Sequence, residues 1–174
     1  METTEKIVEA YVRYMKHCAT IPNIKCEGQF EIDLLAINPQ TLERYHIESG
    51  VSISGGFSAL TGNLFDPKEL KQRVHQASQR RTLGYFRDRK FASPEVSKKL
   101  NEYGFTPGNY TKIVVSWGWD EEAKKQADEA SITLWDFRNL LREIAKITGA
   151  ARTYFTDDTL RTLQLMAKAG GSTF

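Results

Sequence analysis

The chain has 174 residues, a length that predicts a single domain, and 40% of them are hydrophobic, which argues against global disorder. Lysine and arginine (24) nearly balance aspartate and glutamate (22), so the net charge is only +2 and any nucleic-acid binding requires clustered charge. No apolar run approaches the roughly 20 residues that span a bilayer, and the first residues lack a signal-peptide pattern. The two cysteines, Cys18 and Cys26, indicate neither a disulfide framework nor a zinc site. We expect a cytoplasmic protein that does not engage a membrane.

Four elements are predicted in the first third of the chain. Apolar residues at spacings of three and four predict a helix over residues 4–19, which ends before Pro22. Strands are predicted over residues 24–27, 29–37 and 44–53. The second of these begins as an alternation and ends as an apolar run, which is typical of a strand whose far end lies in a covered sheet.

The rest of the chain alternates helices with strands. A loop rich in glycine and serine covers residues 54–66, and proline near the first helical position predicts two helices, over residues 66–79 and 94–104. The later elements are a strand at 110–117, a helix at 120–130, a strand at 132–135, and helices at 137–147 and 158–168. This order predicts an α/β sandwich, with a mixed central sheet flanked by helices.

Acidic side chains within the predicted strands carry the chemical signal. Asp33 and Glu48 lie among apolar residues on two strands that a short connection makes antiparallel neighbours. Two carboxylates that meet at one sheet edge suit a hard cation such as Mg²⁺, and Glu9 on the first helix is a third candidate. A structural pair is the alternative for Asp33 and Glu48. His46, two residues before Glu48, is either a phosphate contact or a hydrogen-bonded histidine of the strand.

The spacing of these acids resembles the PD-(D/E)xK nuclease superfamily. Its order of acidic positions is matched by Glu9, the segment Glu31-Ile-Asp33, and Glu48. Residues 113–141 resemble the C-terminal part of proteins in its Mrr-like branch. The resemblance covers residues 5–53 and 110–145. It implies one restriction-endonuclease-like domain over residues 1–174, with an inserted, mainly helical basic segment at about 54–109.

The resemblance also implies an activity and a set of site residues. The chain would be a metal-dependent DNA endonuclease of restriction or repair type, and it would form a homodimer if two strands are cut. Asp33, Glu48 and the backbone carbonyl of Ser49 would hold Mg²⁺ or Mn²⁺, and Glu9 would orient the water shell of the metal.

One position departs from the family pattern. The motif lysine is expected two residues after Glu48, where this chain has Gly50. We expect another lysine to supply the ammonium, with Lys25 the first choice and Lys112 or Lys124 the others. Two alternatives remain open: a catalytically degenerate member of the fold that binds nucleic acid or assembles with partners, and a small structural protein without a nucleic-acid role.

A basic segment follows the glycine-rich loop. Between Lys68 and Lys90 there are eight basic residues and two acidic ones, which gives a local net charge of +6, and aromatic residues are interleaved with them. We predict that these side chains bind DNA phosphates, the alternative being a solvated helix face. The predicted contacts are Lys68, Lys71, Arg73, Arg80, Arg81, Arg87, Arg89 and Lys90.

Overall fold

A five-stranded mixed sheet forms the centre of the computed structural model, which describes residues 2–51 and 58–170. The strands are β1 (Ala19–Lys25), β2 (Glu31–Ile37), β3 (Arg44–Ser49), β4 (Thr111–Ser116) and β5 (Ile132–Asp136), and they are adjacent in that order. Strands β1, β2 and β3 are antiparallel neighbours, whereas β3, β4 and β5 run parallel. The predicted mixed sheet with flanking helices is confirmed.

Three helices cover one face of the sheet. They are α1 (Thr3–Tyr14), α6 (Phe137–Ala150) and α7 (Asp158–Ala169). Helix α1 buries Val8, Tyr11 and Val12, and α6 buries Leu140 and Ile144, because apolar residues at helical spacing form one continuous stripe on each helix. This layer places the first turn of α1 near Asp33, close to the start of β2.

Short helices and α5 (Glu121–Glu129) cover the other face. Between β3 and β4 the chain forms α2 (Gln76–Gln79), α3 (Leu83–Tyr85), a π-helix (Phe86–Phe91) and α4 (Pro94–Glu102). Helix α4 begins as predicted, since the Ser93 hydroxyl accepts a hydrogen bond from the Val96 N–H. It ends before Gly104, whose φ of +75° lies in the left-handed region that favours glycine.

Two predicted elements differ in the structure. The helix expected over residues 66–79 is replaced by a 3₁₀ turn (Glu69–Lys71) and the short α2, because this stretch has too little apolar surface to bury; Val74 is 87% exposed. Helix α1 ends at Tyr14 instead of residue 19, and β1 begins at Ala19 instead of residue 24, since Pro22 is tolerated on an edge strand. Residues 52–57, which end one predicted strand and begin the glycine-rich loop, lie outside the described residues.

None of the helices in residues 2–51 and 58–170 combines the length and the apolar character needed to cross a bilayer.

Candidate functional site

The candidate site lies where β2 and β3 separate. Their antiparallel ladder ends where Leu34 pairs with Ile47, and the next residue on each strand is an acid, Asp33 or Glu48. Side chains replace the ladder here: the Ser49 N–H donates to Asp33 Oδ2 at 2.8 Å, and the Asp33 N–H donates to Glu48 Oε1 at 3.4 Å. The two acids therefore lie together on adjacent antiparallel strands, as the sequence predicts.

An ammonium group from outside the sheet lies between these carboxylates. Lys90 Nζ is 2.9 Å from Asp33 Oδ1 and 2.5 Å from Glu48 Oε2, and it donates to the backbone carbonyl of Glu31 at 2.9 Å. The Glu48 side chain is fully buried, and that of Lys90 is 15% exposed. Because buried carboxylates are costly unless they are paired, Lys90 allows the two acids to lie side by side.

His46 supports Glu48 at its other carboxylate oxygen. His46 Nε2 is 2.7 Å from Glu48 Oε1, and neither side chain is accessible to solvent. Burial, and then the charge of Lys90, lower the pKa of His46 to about 3, so the ring is neutral at neutral pH. When Glu48 is ionised, the neutral ring carries its proton on Nε2 and donates it to the carboxylate. His46 is thus a buried hydrogen-bond partner of Glu48 within the site.

Burial shifts the pKa values of both acids, and Lys90 offsets only part of that shift. Burial raises the pKa of Asp33 to about 7; the charge of Glu48 raises it too, and Lys90 opposes the rise. Burial also raises the pKa of Glu48 to about 7, again against the effect of Lys90. Burial disfavours the charged form of Lys90, but the two carboxylates outweigh this and raise the pKa of its ammonium. Lys90 is therefore a permanent cation at neutral pH.

Lys90 approaches the carboxylates from the π-helix between β3 and β4. Such helical turns are rare and are frequent at functional sites. Gly50, where the resemblance predicts the motif lysine, lies against the first residue of this helix: a Cβ atom built on Gly50 would be 2.6 Å from Phe86 Cζ. Position 50 therefore has no room for a longer side chain unless Phe86 moves.

A cavity of about 950 Å³ opens beside the cluster. Its acidic lining residues are Glu2, Glu5 and Asp33, and its basic ones are Arg73, Arg80, Arg81 and Lys90. Within the part of the chain that the structure describes, neither Arg73 nor Arg80 forms an ion pair. Their guanidinium groups are available to an anion that enters the cavity.

Glu9, the expected third acid, has a different environment. Its Oε1 accepts a hydrogen bond from Thr20 Oγ1 at 2.9 Å, and Glu9 is not among the described residues that line the cavity. Glu5, one helical turn earlier, lines the cavity instead. Burial raises the pKa of Glu5, the Glu2 N–H lowers it, and the nearby Asp33 adds to the rise. Residues four apart share a helix face, so spacing did not distinguish the two acids.

Lys25, the first choice for the displaced lysine, does not reach the carboxylates. It pairs with Glu31 across β1 and β2, where its Nζ lies 2.6 Å from Glu31 Oε2 and its side chain is 76% exposed. Lys124 is likewise engaged elsewhere, with Asp128 on its own helix. The ammonium beside the acids belongs to Lys90, which the sequence analysis assigned to phosphate binding.

The other predicted phosphate contacts have different environments. Arg73, Arg80 and Arg81 line the cavity, whereas Lys68 and Lys71 are exposed outside its lining. Arg87 Nε pairs with Asp88 at 2.6 Å, and the Arg89 guanidinium lies 4.4 Å from the centre of the Phe30 ring. The basic segment is therefore not a uniform helix face, and its three cavity arginines form a distinct group.

The donor atoms also bear on the predicted metal site. Asp33 Oδ1 and Glu48 Oε2 both face Lys90 Nζ, so their oxygens converge, and Ser49 lines the same cavity. Among residues 2–51 and 58–170, no group of three or more His, Cys, Asp or Glu side chains is arranged to hold a metal ion. Mg²⁺ is usually held by one or two carboxylates together with water and substrate phosphate, and the donors present fit that chemistry.

Fold and site together define an α/β protein whose mixed sheet carries a buried Asp–Glu–Lys cluster. No family model matches the chain, and no curated protein is similar enough to count as a relative. Among solved structures, the crystal structure of AF1548, a protein of unknown function, is similar with a TM-score of 0.50 and 18% identity. The alignment covers 96% of this chain and 92% of that one. At this identity the similarity concerns the fold alone.

Proposed function

We propose that this chain is a divalent-metal-dependent nuclease that hydrolyses phosphodiester bonds in DNA, on a fold of the restriction-endonuclease type. The observation that carries the proposal is the position of Lys90 Nζ between Asp33 and Glu48. Two carboxylates and one lysine are the residue types of a PD-(D/E)xK site. In this chain the lysine comes from the π-helix, and Gly50 stands in the usual place of the motif lysine.

Each residue of the cluster has a part in the proposed hydrolysis, which adds one water molecule across a P–O bond. Asp33, Glu48 and the Ser49 carbonyl would hold Mg²⁺ or Mn²⁺, which supplies Lewis-acid activation of the phosphate and of water. Lys90 remains protonated because the two carboxylates raise its pKa. It therefore acts as a fixed positive charge toward the developing phosphate charge and cannot serve as the base. His46 holds Glu48 in place.

The cavity lining supports a polyanionic substrate. Arg73, Arg80 and Arg81 lie on the same cavity as the Asp–Glu–Lys cluster. Arginine binds phosphate through its forked donors, so these residues would hold the backbone on either side of the scissile bond. Three of the predicted basic residues would therefore contact DNA.

The alternative function is a catalytically degenerate member of the fold that binds nucleic acid. The observation that favours it is the ion pair itself, because Lys90 already lies 2.5 Å and 2.9 Å from the oxygens that a metal would need. In that case the cavity arginines bind DNA and the cluster serves stability alone.

A cleavage assay separates these functions. Plasmid, linear duplex and single-stranded DNA are incubated with the protein in Mg²⁺, in Mn²⁺ and in EDTA. We expect metal-dependent cleavage that falls by about 10²-fold or more in Lys90→Met. Lys25→Met is the matched control, since it also removes a lysine from a lysine–glutamate ion pair, and it should cleave like the wild type.

The other results each point to a different conclusion. DNA binding without cleavage by the wild type would support the binding module, and neither binding nor cleavage would leave a structural role. Cleavage unchanged by Lys90→Met would overturn the role of Lys90. Gly50→Lys is unsuitable as a gain-of-function test, because the new side chain would collide with Phe86.

A further inference from the structure

The π-helix contacts β3 on both sides of Glu48. The Phe86 ring packs against Gly50, two residues after Glu48, at the distance where a Cβ atom would collide with it. The Phe91 ring meets His46, two residues before Glu48, edge to face with centroids 4.8 Å apart. Both phenylalanines are almost fully buried, at 2% and 3% exposure. Lys90 thus projects from a helical turn with an aromatic contact at each end.

We infer that Phe86 is a positioning residue that, by packing on Gly50, sets the Lys90 ammonium between Asp33 and Glu48. The absence of a side chain at position 50 and the location of the lysine on the π-helix then have one cause. Phe86 occupies the space where a side chain of residue 50 would begin. The catalytic meaning of this inference rests on the proposed nuclease function, whereas the positioning itself does not.

The Phe86 ring has little freedom to retreat. It packs edge to face on Tyr85, with centroids 5.4 Å apart, and it belongs to a buried cluster with Leu60, Leu83 and Val114. Interiors this closely packed transmit a displacement instead of absorbing it. A side chain added at position 50 would therefore push the ring together with its helix, and Lys90 would move with them.

The Lys90 ammonium is sensitive to such a movement. It contacts three oxygens, one each from Glu31, Asp33 and Glu48, all within 2.9 Å. A shift of about 1 Å takes charged hydrogen bonds out of their effective range and can cost a catalytic site about 10²-fold in rate. The position of one phenylalanine ring is thus coupled to the geometry of the whole cluster.

A size-exchange experiment tests this coupling. The variants are Gly50→Ala, which adds a methyl group against the ring, Phe86→Leu, which replaces the ring with a smaller side chain, and the double variant. The readout is the rate at which an acylating reagent modifies Lys90, measured by mass spectrometry, with the exposed Lys25 as an internal reference. A paired, buried amine reacts slowly, and release from the carboxylates accelerates the reaction.

We expect reciprocal rescue. Gly50→Ala should raise Lys90 labelling by about tenfold or more relative to Lys25, and Phe86→Leu should raise it by a smaller factor. The double variant should label more slowly than either single variant, because the smaller leucine side chain leaves room for the new methyl group. Additive increases in the double variant, or unchanged labelling in Gly50→Ala, would overturn the inference. If Gly50→Ala does not fold, Phe86→Leu alone decides: unchanged labelling overturns it.

Gly84→Ala is the matched control. A Cβ atom at Gly84 would also lie 2.6 Å from an aromatic residue, but that residue is Phe65. Phe86→Leu should therefore not lower the Lys90 labelling of Gly84→Ala. If it does, the substitutions act by loosening the protein in general, which would contradict the inference.

Cleavage rates measured on the same variants separate this inference from the proposed function. If the protein is a nuclease, kcat should fall as the rate of Lys90 labelling rises, while KM stays near the wild-type value. If the wild type cleaves nothing, the nuclease proposal fails, and reciprocal rescue of the labelling still supports Phe86 as the residue that positions Lys90.

Discussion

The shortest contact in the Asp–Glu–Lys cluster joins Lys90 Nζ to Glu48 Oε2 at 2.5 Å, between a π-helix and a strand that lie far apart in the chain. The carboxylate is fully buried and the ammonium nearly so. This contact combines the two features on which the proposed chemistry depends: a lysine held as a cation, and an acid held in place on its strand.

Removal of the ammonium should destabilise the fold. In Lys90→Met the buried acids lose their cation, and breaking a buried pair in this way costs about 3–5 kcal/mol. Urea unfolding in EDTA measures the difference. Lys25→Met, whose ion pair with Glu31 is exposed, should change the free energy of unfolding by about 1 kcal/mol or less. Equal effects of the two substitutions would contradict the assigned roles.

His46 should matter through its hydrogen bond. His46→Phe removes the imidazole and leaves Glu48 Oε1 with the Asp33 N–H at 3.4 Å as its remaining partner, and loss of a buried hydrogen-bond partner costs about 1–3 kcal/mol. His46→Gln keeps a donor and should lose less, as urea unfolding at pH 7 would report. The exposed His75→Gln serves as control and should remain within about 0.5 kcal/mol of the wild type.

Asp33 should make stability depend on pH. Its pKa is about 7 in the folded protein, against an ordinary value of 3.8, so the folded state binds the proton more tightly than the unfolded state. Asp33 therefore contributes stability below pH 3.8 that is lost as the pH rises through about 7. In Asp33→Asn this loss disappears, which changes the slope by up to about 1.4 kcal/mol per pH unit.

Unfolding curves in EDTA between pH 4 and pH 8 would measure that change as the difference between wild type and Asp33→Asn. Asp136→Asn is a control of opposite sign, because hydrogen bonds from Arg138 lower the pKa of Asp136. Its difference from the wild type should change only at acidic pH. A constant difference for Asp33→Asn across the whole range would contradict the raised pKa.

The cavity arginines should dominate the binding of DNA. Arg80→Ala with Arg81→Ala removes two cavity cations, so affinity should fall and the slope of log affinity against log salt should flatten by about 0.7–0.9 for each lost contact. Lys68→Ala with Lys71→Ala removes the same charge from outside the cavity lining and should have the smaller effect. Fluorescence anisotropy over a salt series measures both, and equal effects would point to an undirected electrostatic surface.

Local sequence patterns predicted the structure correctly where the contacts that stabilise an element are made between residues close in sequence. Ser93 and Pro94 predicted the start of α4, and Gly104 its end, because caps depend on hydrogen bonds within one turn. The pattern failed over residues 66–79, where Pro67 and helix-compatible residues suggested one helix although almost none of that surface is buried. Helix formation there would need tertiary contacts that the segment lacks.

The candidate site likewise has a part that the sequence predicts and a part that depends on tertiary packing. That Asp33 and Glu48 lie on neighbouring antiparallel strands could be predicted from the sequence, since a short connection joins β2 and β3. The register that sets the two acids opposite each other could not, because both faces of β2 are buried and its apolar residues do not alternate. Which lysine joins the two acids, and which acid of α1 lines the cavity, depends on the packing of the folded chain. Lys90 reaches Glu48 because Phe86 and Phe91 pack against Gly50 and His46. Such packing between distant segments depends on side-chain shape in three dimensions, which no local periodicity encodes.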